Sequence, residues 1–178
     1  NLSAGTASGG AGNDIFTGFE NIIGSSVADS IIGDTAANSI SGGSGDDTID
    51  GGLGADTMDG GAGVDTLSYT SVTSAVTLNL SLNTVSGGGT GDNFTNFENV
   101  IGSSAGDSII GSTGVNSISG DSGDDIVDGG LGADTMDGGA GSDTLSYSSA
   151  TGAVTVDLSV STASGGAGND TFTGFENI

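Results

Sequence analysis

The chain has 178 residues, of which 23 are Asp or Glu and none is Lys, Arg or His, so it carries a formal charge of −23 with no internal counter-charge. Nucleic acid and anionic membrane surfaces are excluded as partners, because no basic group can meet a phosphate. The absence of Cys rules out disulfides and thiolate metal sites, and no apolar run is long enough for a membrane-spanning helix.

The chain opens inside a pattern, not in a signal peptide. Asp14 with Phe16 returns as Asp92 with Phe94 and as Asp170 with Phe172. The run Gly18-Phe19-Glu20-Asn21-Ile22 returns 78 residues later as Asn96-Phe97-Glu98-Asn99-Val100, and again as Gly174-Phe175-Glu176-Asn177-Ile178. The divisions are 1–23, the end of one unit; 24–101, a full unit; and 102–178, a second. Together they are expected to form one continuous solenoid with no separate globular domain. Such a plan resembles a window onto a long array, and the regular recurrence of its apolar residues distinguishes it from a disordered polyanion.

Within the first unit the chain divides into nine-residue segments. Residues 24–32 and 33–41 carry Asp29 and Asn38 at position six and Ile31 and Ile40 at position eight, without Gly at position four. Residues 42–68 are three full nonads, GGSGDDTID, GGLGADTMD and GGAGVDTLS, with Asp47, Asp56 and Asp65 at position six and Ile49, Met58 and Leu67 at position eight. The glycine-rich half can turn sharply, and the acidic-to-apolar half can extend as a short strand. In residues 69–86 the alternation of Val76, Leu78, Leu80 and Leu82 with polar residues predicts strand, read as the same coil continuing without metal. Asp92 and Phe94 follow. A six-residue segment, 96–101, then either lengthens a loop or forms a short extra side, which would exchange the two edges of the coil at every unit. The second unit repeats the plan with Asp107, Asn116, Asp125, Asp134 and Asp143 at position six, and with residues 147–164 as its metal-free stretch.

The three tandem nonads resemble the repeats-in-toxin (RTX) nonapeptide, G-G-x-G-x-D-x-U-x. That resemblance implies an all-β, right-handed parallel β-roll or β-solenoid, two nonads per turn, stabilised by several Ca²⁺ ions in glycine/aspartate loops. It implies Asp47, Asp56, Asp65, Asp125, Asp134 and Asp143 as metal ligands, assisted by Gly carbonyls. Asp29 and Asp107, and the set Asp14, Asp92 and Asp170, are further candidates in loops lacking the full glycine set. Asn38 and Asn116 either lend an amide oxygen or cap a turn. Carboxylate and carbonyl ligands without His or Cys suit a hard ion of high coordination number, which favours Ca²⁺ over Mg²⁺, Zn²⁺ or Cu²⁺. Carboxylates stacked at the strand spacing of about 4.8 Å repel by about 3–4 kcal/mol at an effective dielectric near 20, and bridging cations turn that repulsion into cohesion.

The remaining acidic residues have plainer readings. Asp50, Asp59, Asp128 and Asp137 at position nine are expected on solvated faces, and Asp46 and Asp124 at position five are expected to point outward. Phe19, Phe97 and Phe175 with their Glu-Asn neighbours read as structural corners. Tyr69 and Tyr147 read as plugs where the metal-binding run ends. No base is available for a nucleophile triad, and no acid stands outside the repeat, so the segment is not expected to be an enzyme. The expected function is a calcium-dependent structural segment of a long secreted or cell-surface protein, such as a stalk, S-layer-like coat, adhesin or fibre. It would be disordered at low Ca²⁺ and rigid at millimolar Ca²⁺, with calcium and like chains or neighbouring repeats as partners. The alternative is a folding and secretion module beside a secreted protease or epimerase. Ice binding is a lesser reading, since Thr48, Thr57 and Thr66 recur on only part of each unit.

Overall fold

Each nonad has one place to turn and one to extend, and the computed structural model, which describes residues 1–9, 12–15 and 17–178 (backbone alone at 8, 9 and 12), follows that division. Phe16 lies outside the described residues. All the regular elements among the described residues are strands. A short antiparallel pair, β1 (Thr6–Gly9) and β2 (Gly12–Ile15), precedes the first coils. One strand per nonad follows: β3 (Asn21–Ile23), β4 (Ser30–Asp34), β5 (Ser39–Ser44), β6 (Thr48–Gly52), β7 (Thr57–Ala62) and β8 (Thr66–Ser68). Then come β9 (Val76–Asn79), β10 (Thr84–Gly87), β11 (Asn93–Thr95) and β12 (Asn99–Ile101). The second unit has β13 (Ser108–Ser112), β14 (Ser117–Ser119), β15 (Ile126–Gly130), β16 (Thr135–Asp137), β17 (Thr144–Leu145), β18 (Val154–Asp157), β19 (Thr162–Gly165) and β20 (Asn169–Thr173).

Strands of alternate nonads stack in parallel on two faces. On one, Ile22 lies beside Ile40, and Ile40 beside Met58. On the other, Ile31 lies beside Ile49, and Ile49 beside Leu67. Each step is one turn of two nonads, so the position-eight side chains of both faces meet between the sheets. Ile49, Leu67, Ile109 and Val127 are wholly buried there, each contributing about 1.5–3 kcal/mol of apolar burial. The chain is therefore an all-β parallel β-roll.

Residues 96–101 form neither a longer loop nor an irregular corner. Val100 of β12 stacks on Leu67 and beneath Ile118, in line with the position-eight residues of full nonads. The segment is a nonad shortened by three loop residues, and it still makes a half-turn. This adds an odd number of half-turns to the unit and exchanges the edges. Strands following Asp29, Asp47 and Asp65 are continued on the same sheet by strands following Asn116, Asp134 and Asp170. Phe97 fills the shortened corner edge-on to Phe94, ring centres 6.4 Å apart, as Phe175 does to Phe172.

Residues 69–86 depart from the expected coil. They leave it as an antiparallel hairpin in which β9 pairs with β10, Leu78 beside Val85. Asn83 takes the left-handed conformation (φ 51°) and closes the turn with its amide on the Leu80 carbonyl. Residues 154–165 repeat this as β18 and β19, with Ser161 at φ 53°. Without glycines to bend around a roll corner, the alternating segment pairs with itself. The alternation still decides what is buried: Val76, Leu78 and Leu80 face the core, while Leu82 is 69% exposed at the tip.

Candidate metal centres

The position-six side chains form ladders along the roll. The Asp29 amide donates to Asp47 Oδ1, and the Asp47 amide to Asp65 Oδ1, both at 2.8 Å. On the opposite edge the Asn38 amide donates to Asp56 (2.8 Å) and the Asp56 amide to Asp92 (2.9 Å). The second unit has the ladders Asp107–Asp125–Asp143 and Asn116–Asp134–Asp170, with bonds of 2.7–3.0 Å. One oxygen of each carboxylate is thus committed to the turn before it, and function rests on the second oxygen.

That second oxygen divides the loops into two classes. In all six full nonads it is buried with no hydrogen-bond partner: Oδ2 of Asp47, Asp56, Asp65, Asp125, Asp134 and Asp143. In the loops lacking the glycine set it is satisfied locally. The Ser25 amide donates to Asp29, the Ser103 amide to Asp107 (2.6 Å), and the Asp34 and Ser112 amides to the side-chain oxygens of Asn38 and Asn116. The cause is the backbone at positions two and four. Gly43, Gly45, Gly52 and Gly54 have φ between 87° and 140°, a region other residues rarely enter. Asp121, at position two of its loop, also sits there at φ 73°, and Asp125 Oδ2 is equally bare. Ser25, Asp34, Ser103 and Ser112 do not have positive φ, and their amides cap the acid. Conformation at position two, not residue type alone, decides whether the oxygen is free.

A buried carboxylate oxygen without a donor costs far more than an ordinary solvated one. Burial first, then the neighbouring carboxylates, pushes Asp56, Asp125 and Asp134 up to about 6. Asp65, Asp92 and Asp170 are also raised, with burial again the main cause. The position-one glycines close the cradle: a Cβ on Gly42 would collide with Asp47 Oδ2 and the Gly60 carbonyl, and one on Gly120 with Asp125 Oδ2 and the Gly138 carbonyl. Each bare oxygen therefore lies beside loop carbonyls. Among the described residues no three acidic side chains converge on one point, so each centre offers one carboxylate with backbone oxygens around it. That donor set fits a hard divalent cation such as Ca²⁺, which when bound supplies the positive charge these oxygens lack.

The other candidates fall outside this geometry. Asp92 Oδ2 accepts from the Tyr69 hydroxyl (3.3 Å), so the buried tyrosine does close the metal run. Asp170 is buried at the foot of its ladder, and Asp14 is exposed on β2 opposite Ala7. Two position-nine residues are corrected. Asp50 and Asp128 are buried, not solvated, and accept from the backbone and hydroxyl of Ser71 and of Ser149 respectively. They anchor the chain where it leaves the roll for the hairpin. Asp59 and Asp137 stay at least partly exposed, and Asp46 and Asp124 point outward to accept from the Val64 and Ser142 amides.

Glu98 and Glu176 were not foreseen as ladder members. Glu98 Oε2 accepts from the Asp65 amide at 2.9 Å and Glu176 Oε2 from the Asp143 amide at 2.8 Å, where a position-six Asp would stand. The added methylene spans the three missing loop residues. The signal was present in Glu98-Asn99-Val100, an acid two residues before a core residue, as in Asp65-Thr66-Leu67.

Residues 4–21, 32–67, 101–136, 110–145 and 161–176 match the RTX calcium-binding nonapeptide repeat, more than half of the chain, and the chain belongs to that family. It is a calcium-binding structural repeat segment. No curated protein matches it.

Proposed function

We propose that Asp47, Asp56, Asp65, Asp125, Asp134 and Asp143 supply the side-chain ligands for calcium, and that filling their loops converts an expanded polyanion into a stiff rod. The observation that carries this reading is the set of six buried, partnerless oxygens, one in each full nonad and absent from every loop whose position-two amide caps its acid. Asp29 and Asp107 are then structural acceptors, and Asp14, Asp92 and Asp170 lie outside the metal set. The 78-residue unit, 24–101 and 102–178, is the module. Identity between residues 51–63 and 129–141 favours a long regular array over a short appendage to an enzyme. The chain serves as a stalk, coat or fibre segment of a secreted or cell-surface protein. Low intracellular calcium keeps it extended for export, and millimolar extracellular calcium folds it.

Circular dichroism during a calcium titration, reversed with EGTA, tests this. The strand signal should appear with calcium and vanish with the chelator. A signal indifferent to both would overturn the reading.

A further inference from the structure

The hairpins of the two units have equivalent sequences but different surroundings. In the first, β9 is sandwiched between β10 and β13, running parallel to β13 with Thr77 beside Ser108, Leu78 beside Ile109 and Asn79 beside Ile110. The Leu80 amide extends the pairing to the Ile110 carbonyl at 2.9 Å. In the second, β18 pairs with β19 alone and is the last strand of its sheet. The burial differs accordingly: Val76, Leu78 and Leu80 are 1–5% exposed, whereas Val154 and Val156 are half-buried and Leu158 is 67% exposed.

The surface that would complete β18 is also present. The counterpart of β13, 78 residues earlier, is β4, which ends the opposite side of the same sheet. Its outer edge is engaged at one point, where the Leu2 amide donates to the Ile32 carbonyl at 2.8 Å. This is the Leu80–Ile110 bond displaced by one unit. The two ends of the nine-stranded sheet are thus the two halves of a joint already formed once within the chain.

We infer that β18 of one chain docks in parallel on β4 of a second copy, with Thr155 beside Ser30, Val156 beside Ile31 and Asp157 beside Ile32, and with Leu158 taking the place of Leu2. The contact is edge-strand addition, with main-chain bonds for cohesion and alternate side chains for register. It joins unlike surfaces, so it does not close on itself and gives head-to-tail filaments. Because each chain carries a formal charge of −23, the contact forms only once bound calcium has lowered the repulsion. The inference rests on the calcium-held roll proposed above.

Cysteine cross-linking tests it in a chain that has no cysteine of its own. Thr155→Cys and Ser30→Cys chains are mixed in calcium at about 100 µM, a concentration suited to a small, weak contact, and mildly oxidised. A mixed disulfide should form several-fold faster than homodimers of either variant, and a Thr77→Cys/Ser108→Cys chain should cross-link internally. Sedimentation of the unmodified chain should show mass rising with concentration, and Val156→Asp should abolish the rise with its circular dichroism unchanged. A chain with full strand signal that stays monomeric and forms no preferential mixed disulfide overturns the inference alone. Absence of the strand signal in calcium overturns the roll and the inference with it.

Discussion

At the scale of single residues, the difference between a calcium loop and a plain turn is the direction of one amide. A position-two residue with negative φ turns its N–H onto the acid, whereas one with positive φ leaves Oδ2 bare. Asp56→Asn should therefore raise the calcium midpoint about tenfold, equivalent to ~1.4 kcal/mol, while Asp29→Asn, whose oxygen is already capped by Ser25, should move it less than about twofold. Calorimetric titration of both variants checks this, and equal effects would contradict the two-class reading. Glycine should divide in the same way. Gly52 stands at φ 87° with its Cβ position against the Asp34 carbonyl, whereas Gly114 has ordinary φ and only Ser112 Oγ nearby, at 3.6 Å. Gly52→Ala should lower stability in calcium by roughly 1–3 kcal/mol, and Gly114→Ala should be neutral or slightly stabilising, as read by thermal melts.

At the scale of elements, the six-residue segment is the part with the widest consequence. It makes a half-turn because Glu98 reaches where an Asp in a shortened loop could not. Glu98→Ala leaves the buried Asp65 amide without its acceptor and should cost about 1–3 kcal/mol. Glu98→Gln, which keeps the oxygen, should retain most of the stability. Melts in calcium separate the two, and indifference to alanine would remove Glu98 from the ladder. The hairpins are governed by the same economy of turns. Residues 69–86 have no glycine where a roll corner needs one, so the alternating strand folds back at Asn83, and Asp50 gathers the hydroxyls of Ser68, Thr70 and Ser71 at the exit.

For the molecule as a whole, exchange of edges at each unit moves the hairpin too. One lies in the sheet of β13, β15 and β17, and the other in the opposite nine-stranded sheet. The extra strands thus alternate between faces. Charge governs stability at this scale as well. In metal-free chain the carboxyls of Asp56, Asp125 and Asp134, pushed up to about 6 from the ordinary 3.8, bind protons more tightly folded than unfolded. The folded state therefore gains stability as pH falls from about 6 towards 4, and loses it as pH rises. Calcium-stripped protein should show more strand signal near pH 4.5 than near pH 7.5. Calcium competes with those protons, so its midpoint should rise below about pH 6. A calcium-free chain that loses structure on acidification would refute this.

Much of this was legible in the sequence, because a nonad carries its own geometry. Glycine spacing marks the turns, the position-eight residue marks the core, and a step of two nonads brings Asp47 under Asp65 without any long-range information. The class of ion followed from which donors the chain possesses. Other features depended on neighbours distant in sequence. Asp50 became a buried acceptor because Ser68 to Ser71 return to it one turn later. Residues 76–87 became a hairpin because β10 pairs with β9 more readily than either bends around the roll. The bare and capped oxygens differ only through a backbone angle set by the loops stacked above and below. Local pattern determined the repeat, its core and its ligand chemistry; stacking decided which carboxylate oxygens stay free and which edge each unit presents, because both are settled by contacts a full turn away.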